Sequence, residues 1–397
     1  MDRTPKTAIE RQARATARSS SRGMRRALPS RQFLYTKKWK RIRNILLFLL
    51  AVELFLFGLN FRSGVNEFIP AEAFANLKAM FKMPFLQLFG DNYDAEAVRE
   101  SLPYYRETAA RFKASVIAFL SGVIICIAGT AFQTIFKNPI ASPNMLGVST
   151  GVSLGNVLFV LAYQVNALGN LTMRYIYCYI AAAILVVVAY GAGRLSGKRL
   201  GQFSVEGTIL AGMMITQLGG VMMQYLQLFL QSDENGLLEI YTTLANGEIL
   251  YVDNASMAIF LVSSILTLIP MILLRFRFNA VAFDDMEMKA MGVNNGTLRA
   301  IGLVLGSMMT AIALIHCGDV GFLCMVIPFI CRERLQTSFG EVAYLSAITG
   351  GIVSLAVRDL LIMTSGIGIT IPASVVTTLI MLPLFIVTLI RRGSVFK

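Results

Sequence analysis

The sequence predicts an all-α membrane protein of about ten transmembrane helical elements, one of them a short half-span, behind a basic N-terminal tail. Three observations carry that prediction. Of 397 residues, 55% are hydrophobic, well above the roughly 45–50% apolar share, glycine included, of soluble domains. Apolar runs long enough to cross a hydrocarbon core, which takes about 20 helical residues, recur along the chain. The charge is also unevenly placed: residues 1–43 hold 14 Lys and Arg against Asp2 and Glu10, a net +12 of the total +13.

The chain divides into a tail, 1–43, and a polytopic domain, 44–397. The tail is rich in Arg, Ser and Ala and too polar to build a core, so it is expected to be disordered or an interfacial helix on anionic membrane lipid. A nucleic-acid role is not expected, because charge beyond the tail nearly cancels. Spans are expected near 44–61, 114–136, 143–163, 174–194, 205–230, 255–275, 297–317, 343–363 and 372–390. Run 320–331 is too short to cross alone and reads as a half-span packed against protein. The run at 44–61 is a first anchor rather than a cleaved signal: its basic lead is too long, Glu53 interrupts it, and no small-x-small site precedes Phe61-Arg62.

Loop charge sets the topology. Connections near 192–206, 275–296 and 332–342 and the C-terminus are basic, whereas 231–254 carries Asp233, Glu234, Glu239, Glu248 and Asp253 with no Lys or Arg. The positive-inside rule then places both termini in the cytoplasm of a multi-pass cell-membrane protein. Segment 62–113, with 7 basic and 7 acidic residues, falls outside and is expected to form short surface helices.

Between the second and third spans, Lys137-Asn138-Pro139 breaks the helix at an aqueous edge, and Pro143 sits before the next one. Gly147, Gly151 and Gly155 then recur every fourth residue, a small-residue face that lets two helices approach closely for packing or gating. On the 275–296 loop, Ala282 to Gly292 reads as a short helix with Phe283, Met286 and Ala290 on one face, Asp284, Asp285 and Glu287 toward water, and Gly292 as its stop.

Glu53, Arg358 and Asp359 are the main charges inside spans; such charges are functional by default, or else pair and snorkel. Cys317, Cys324 and Cys331 recur every seventh residue, but about 10 Å separates such positions on a helix, too far to share one ion. They read as small apolar side chains, and no metal site or cofactor is expected. His316 reads as a boundary residue at an outer edge. Gly193-x-x-x-Gly197-Lys198-Arg199 has neither the spacing nor the hydroxyl residue of a phosphate-binding loop, so the chain is not expected to hydrolyse ATP by that route.

Four ordered motifs between about residues 111 and 393 resemble the iron-siderophore, haem and cobalamin class of ATP-binding-cassette importer permeases. The first runs from Gly122, Ala128-Gly129 and Gln133 through Phe136-Lys137-Asn138-Pro139 to the glycine face. The second is Met288-Lys289-Ala290-Met291-Gly292-Val293. The third is Gly318-Asp319-Val320-Gly321-Phe322-Leu323 with Val326-Ile327-Pro328, where Phe329 replaces the family's His and Cys324 a Gly. The fourth is Ile371 to Thr377 with Pro383 and Phe385, where Ser374 and Met381 replace glycines.

The resemblance implies a permease subunit that is not an enzyme, driven by a separate cytoplasmic ATPase dimer and paired with a second permease copy or paralogue. An extracytoplasmic substrate-binding protein would feed it a metal chelate, an iron-siderophore first. It implies that the 283–292 element, with Phe283, Asp284, Asp285, Glu287, Ala290 and Gly292, is the coupling helix seated on the ATPase. It also implies docking of the binding protein by Arg111, which matches a family arginine, and by Arg358 near the outer end of its span. An ion-coupled secondary transporter is the alternative. Against it stand a single histidine and the lack of an evident internal duplication.

Overall fold

The computed structural model describes residues 42–44, 47, 50, 105–164, 166–167, 171–198, 205–232, 236–245, 254–283, 287–288, 291–292, 294–335, 338–365 and 371–395. Contacts divide the chain into two units, 1–52 and 53–397. In the first, residues 42–44, 47 and 50 are helical. The expected span 44–61 lies largely outside the described residues, as does 62–104 of the expected surface segment 62–113, whose residues 105–113 are the start of one long helix instead.

In the second unit every regular element described is helical. The order is α1 (Tyr105–Ile135), a 3-10 turn (Pro143–Leu146), α2 (Val148–Tyr163), α3 (Leu171–Lys198), α4 (Val205–Gln231), α5 (Leu237–Ala245) and α6 (Asn254–Leu273). There follow α7 (Arg275–Phe278), a 3-10 turn (Asn279–Ala282), α8 (Asn295–Cys317), α9 (Gly321–Leu335), α10 (Phe339–Ser365) and α11 (Ala373–Val395).

Seven of these, α1, α3, α4, α6, α8, α10 and α11, are long and apolar enough to cross a membrane. The expected half-span is α9, whose 15 residues reach only about 22 Å against a core of about 30 Å. The expected span 143–163 is shorter than its hydropathy indicates. Pro143–Leu146 forms a 3-10 turn and Gly147 turns left-handed at φ +83 before α2 begins, so its 16 residues rise about 24 Å. The acidic connection 231–254 carries a helix, α5, that its charge pattern did not predict.

α1 and α8 form the centre, with 78% and 72% of their span windows buried. Glycines set how closely neighbours approach. A methyl group at Gly122 would strike the Gly350 backbone of α10, and one at Gly129 would strike the Cys324 carbonyl of α9. Gly302 and Gly306 of α8 lie against Ile135, Phe278 and Phe132. Hydroxyls within α1 turn back onto their own helix, Thr130 to the Cys126 carbonyl and Thr134 to the Thr130 carbonyl, so these polar side chains are satisfied in the bundle interior.

Candidate functional site

Three connections meet at the basic end of the bundle. α1 stops in a Schellman arrangement: the Asn138 amide donates to the Gln133 carbonyl and the Lys137 amide to Thr134, with Lys137 in the left-handed region at φ +49. The Asn138 side chain then accepts from the Ile140 amide at 3.0 Å, fixing the turn into the 3-10 segment. A lysine has no intrinsic preference for that conformation. Its ammonium, however, reaches across to the Phe283 carbonyl at 3.0 Å.

The segment 275–283 also grips the α9–α10 joint. The Asn279 carboxamide accepts from the Phe339 amide at 2.8 Å, and the Phe278 and Phe339 rings stack with centroids 4.8 Å apart. From the end of α9, Arg332 donates to the Thr134 hydroxyl at 2.8 Å. Residues 278–283 therefore contact both the C-terminal end of α1 and the N-terminal end of α10.

Of the predicted coupling helix, Ala282, Phe283, Glu287, Met288, Met291 and Gly292 are among the described residues. Phe283 is extended (φ −83, ψ 168) because the preceding 3-10 turn ends there, and its ring is half exposed. Glu287 and Met288 are helical. The Met291 amide donates to the Glu287 carbonyl at 3.0 Å, and Gly292 stops the turn at φ +74. Glu287 faces solvent, whereas Met288 anchors the turn with no exposed surface. Asp284, Asp285 and Ala290 lie outside the described residues.

The glycine face packs α2 along α3. A methyl group at Gly151 would fall 2.5 Å from the Ala182 Cα, and one at Gly155 would strike Cys178. Gly147 continues the line beside Leu185 but also makes the left-handed joint into α2, which the spacing alone did not reveal.

At the opposite end of the bundle, Arg174 is fully buried, although it lies one turn inside the start of α3. Its guanidinium donates to the Asn156 carboxamide oxygen at 2.9 Å and to the carbonyls of Leu244 at 2.7 Å and Ile315 at 2.9 Å. Both carbonyls belong to last turns, of α5 and α8, where backbone acceptors lack intrahelical partners and cations are favoured. His316, expected at a boundary, is 1% exposed. It stacks on Tyr175 with centroids 4.9 Å apart and meets the Phe260 ring at the same separation. The three-way tie was not legible from sequence, because an arginine near a span end ordinarily snorkels.

Arg358, expected to face a docking protein, is 2% exposed and pairs with Asp359 at 2.8 Å. In this conformation it is turned into the bundle. Arg111 lies on α1, and its side chain is outside the described residues. Cys317 ends α8 while Cys324 and Cys331 belong to α9, so the seven-residue line is interrupted by the break at 318–320. Among the described residues no group of three His, Cys, Asp or Glu is placed to hold a metal.

The family motifs meet in space. Gln133 donates to the Met325 carbonyl at 2.9 Å, Gly129 lies against Cys324, and Phe329, in the place of the family's His, packs edge-on against Phe385 at 5.4 Å. Comparison with known proteins agrees with this arrangement. The chain is 29% identical over 320 residues to the ABC transporter permease protein YvrB of Bacillus subtilis, covering 80% of this chain and 86% of the relative. It is 27% identical to the iron(3+)-hydroxamate import system permease FhuB of Salmonella typhimurium, over 72% of this chain and 39% of the relative. A solved structure of an inward-facing, metal-chelate type ABC transporter superposes with TM-score 0.62 at 20% identity, covering 81% of this chain and 98% of the other. The model of the FecCD transport family matches residues 79–391, and the chain belongs to that family, as the permease subunit of an ABC importer.

Proposed function

We propose that the chain carries an iron-siderophore or a related metal chelate across the cell membrane, driven by a cytoplasmic ATPase dimer at the basic end and fed by a binding protein at the opposite end. The observation that carries this reading is the junction of Lys137 with the Phe283 carbonyl beside the Asn279–Phe339 contact. It joins the one loop that resembles a coupling element to the turn leading into the glycine-seamed α2. ATP-driven motion of a docked ATPase would enter at Phe283, Asp284, Asp285, Glu287, Ala290 and Gly292 and leave along α1 and α10.

The positive-inside distribution supports cytoplasmic termini, and a second permease copy or paralogue completes a path between two bundles. Arg111 is the proposed contact for the binding protein; Arg358 would join it only if the Asp359 pair opened.

The reading is tested with Asp285→Lys combined with Glu287→Lys. Both charges lie in the loop, and the Glu287 side chain is exposed. The expected outcome is ATP hydrolysis that continues while uptake falls at least about tenfold, a loss of roughly 1.4 kcal/mol of coupling. Uptake equal to wild type would remove the coupling assignment.

A further inference from the structure

Helix α6 continues past Leu273. The Leu274 amide donates to the Pro270 carbonyl at 3.0 Å and the Phe278 amide to the Leu274 carbonyl at 3.1 Å, so α6 and α7 form one helical path ending at Phe278. That path has two faces. Phe260, Ser264, Met271 and Phe278 are buried and hold it to the bundle. Val262, Ile265, Leu266, Ile269, Leu273 and Phe276, recurring at helical spacing, are each at least 52% exposed. They form one apolar stripe about 21 Å long.

The stripe ends in charge. Arg275 and Arg277 flank Phe276 and are exposed, and the Arg275 guanidinium lies over the Phe276 ring, 4.6 Å from its centroid, an attractive contact that holds ring and charge together. The Arg275 stem passes the first turn of α10, where a methyl group at Gly340 would lie 3.9 Å from its Cδ. A long apolar face closed by an aromatic ring and cationic side chains matches the edge of a bilayer, where rings sit at headgroup level and guanidiniums reach phosphate.

We propose that this α6–α7 corner binds an anionic phospholipid. One such molecule complements both features at once: its acyl chain covers Ile269 and Leu273, and its phosphate meets Arg275 and Arg277, whose planar forks suit phosphate oxygens. A zwitterionic lipid brings its own cation to the same place and gains less. The bound lipid tethers the corner at the membrane edge, directly before residues 278–283, which touch α1 and α10. The inference needs only a membrane-spanning α6 and is independent of the cargo and of the energy source.

The test reads which lipid lies at the corner of the purified full-length protein. Trp39 is the chain's one tryptophan, so Trp39→Phe combined with Phe276→Trp places a single indole there. The protein is reconstituted in phosphatidylcholine vesicles carrying a minor fraction of phosphatidylglycerol brominated near the glycerol end of its chains, or the same fraction of phosphatidylcholine brominated alike. Quenching by the anionic lipid is expected to be at least about threefold stronger, as two cations near the headgroups require. Adding Arg275→Gln and Arg277→Gln should make the two lipids quench alike, while the basic N-terminal tail is unchanged. Adding Arg275→Lys and Arg277→Lys instead should retain part of the preference, and monodisperse elution checks that each variant is folded. Equal quenching by the two lipids before any arginine is replaced would overturn the proposal. So would a preference that survives both glutamines, which would assign it to the tail, or an indole that neither lipid quenches, which would show that another protein surface covers the corner.

Discussion

α1 and α11 have almost the same hydropathy, 2.3 and 2.4 over their span windows, yet 78% of the first and 17% of the second is buried. Hydropathy therefore identified both as spans and said nothing about which one the bundle is built around. The difference lies in the residues between the large apolar ones. α1 carries Gly122, Gly129, Thr130 and Gln133 on faces pressed against α9 and α10, where small side chains permit close approach and polar ones find partners. α11 presents Leu379, Leu384, Val387 and Ile390 outward, as expected of a surface facing lipid or another subunit.

That contrast can be broken most severely at Gly129, where a side chain has no room beside the Cys324 carbonyl. Gly129→Leu is expected to abolish recovery of monodisperse protein, while Leu384→Ala on α11 should change it little; size-exclusion profiles of the two variants decide it. Next is the α2–α3 seam. Gly151→Leu should reduce uptake at least about tenfold through overpacking of 1–3 kcal/mol, against little change for Val187→Leu. Val187 is 63% exposed on α3 and serves as the control. Equal uptake by the two variants would show that the close approach is not needed.

A smaller effect is expected at Arg174. Arg174→Gln shortens the side chain and removes its charge, loosening the tie among α2, α5 and α8. Hydrogen bonds in membrane proteins are worth about 0.6–2 kcal/mol each, so the melting temperature in detergent should fall by several degrees while the ATPase still docks. A melting curve coincident with wild type would show that the two helix ends are held by packing alone.

The frame was largely legible in the sequence. The boundaries expected at 255–275, 297–317 and 372–390 lie within a few residues of α6, α8 and α11, because apolar length is a local property. The half-span at α9 was legible for the same reason. What could not be read were features set by contacts distant in sequence. Arg174 meets carbonyls 70 and 141 residues away, Lys137 meets one 146 residues away, and His316 is enclosed by rings from α3 and α6. In the stretch read as one helix from Ala282, Ala282 closes a 3-10 turn and Phe283 is extended, which periodicity alone did not register.

The central claim is that ATP on a separate subunit, not an ion gradient, drives this permease. It is tested most directly by uptake of a radiolabelled ferric siderophore into vesicles containing the full transporter with its binding protein. Uptake is expected to stop when the ATPase carries an inactivating substitution in its phosphate-binding loop, and to continue when ionophores collapse proton and sodium gradients. Uptake that survives the inactive ATPase and disappears with the gradients would contradict it and identify an ion-coupled transporter instead.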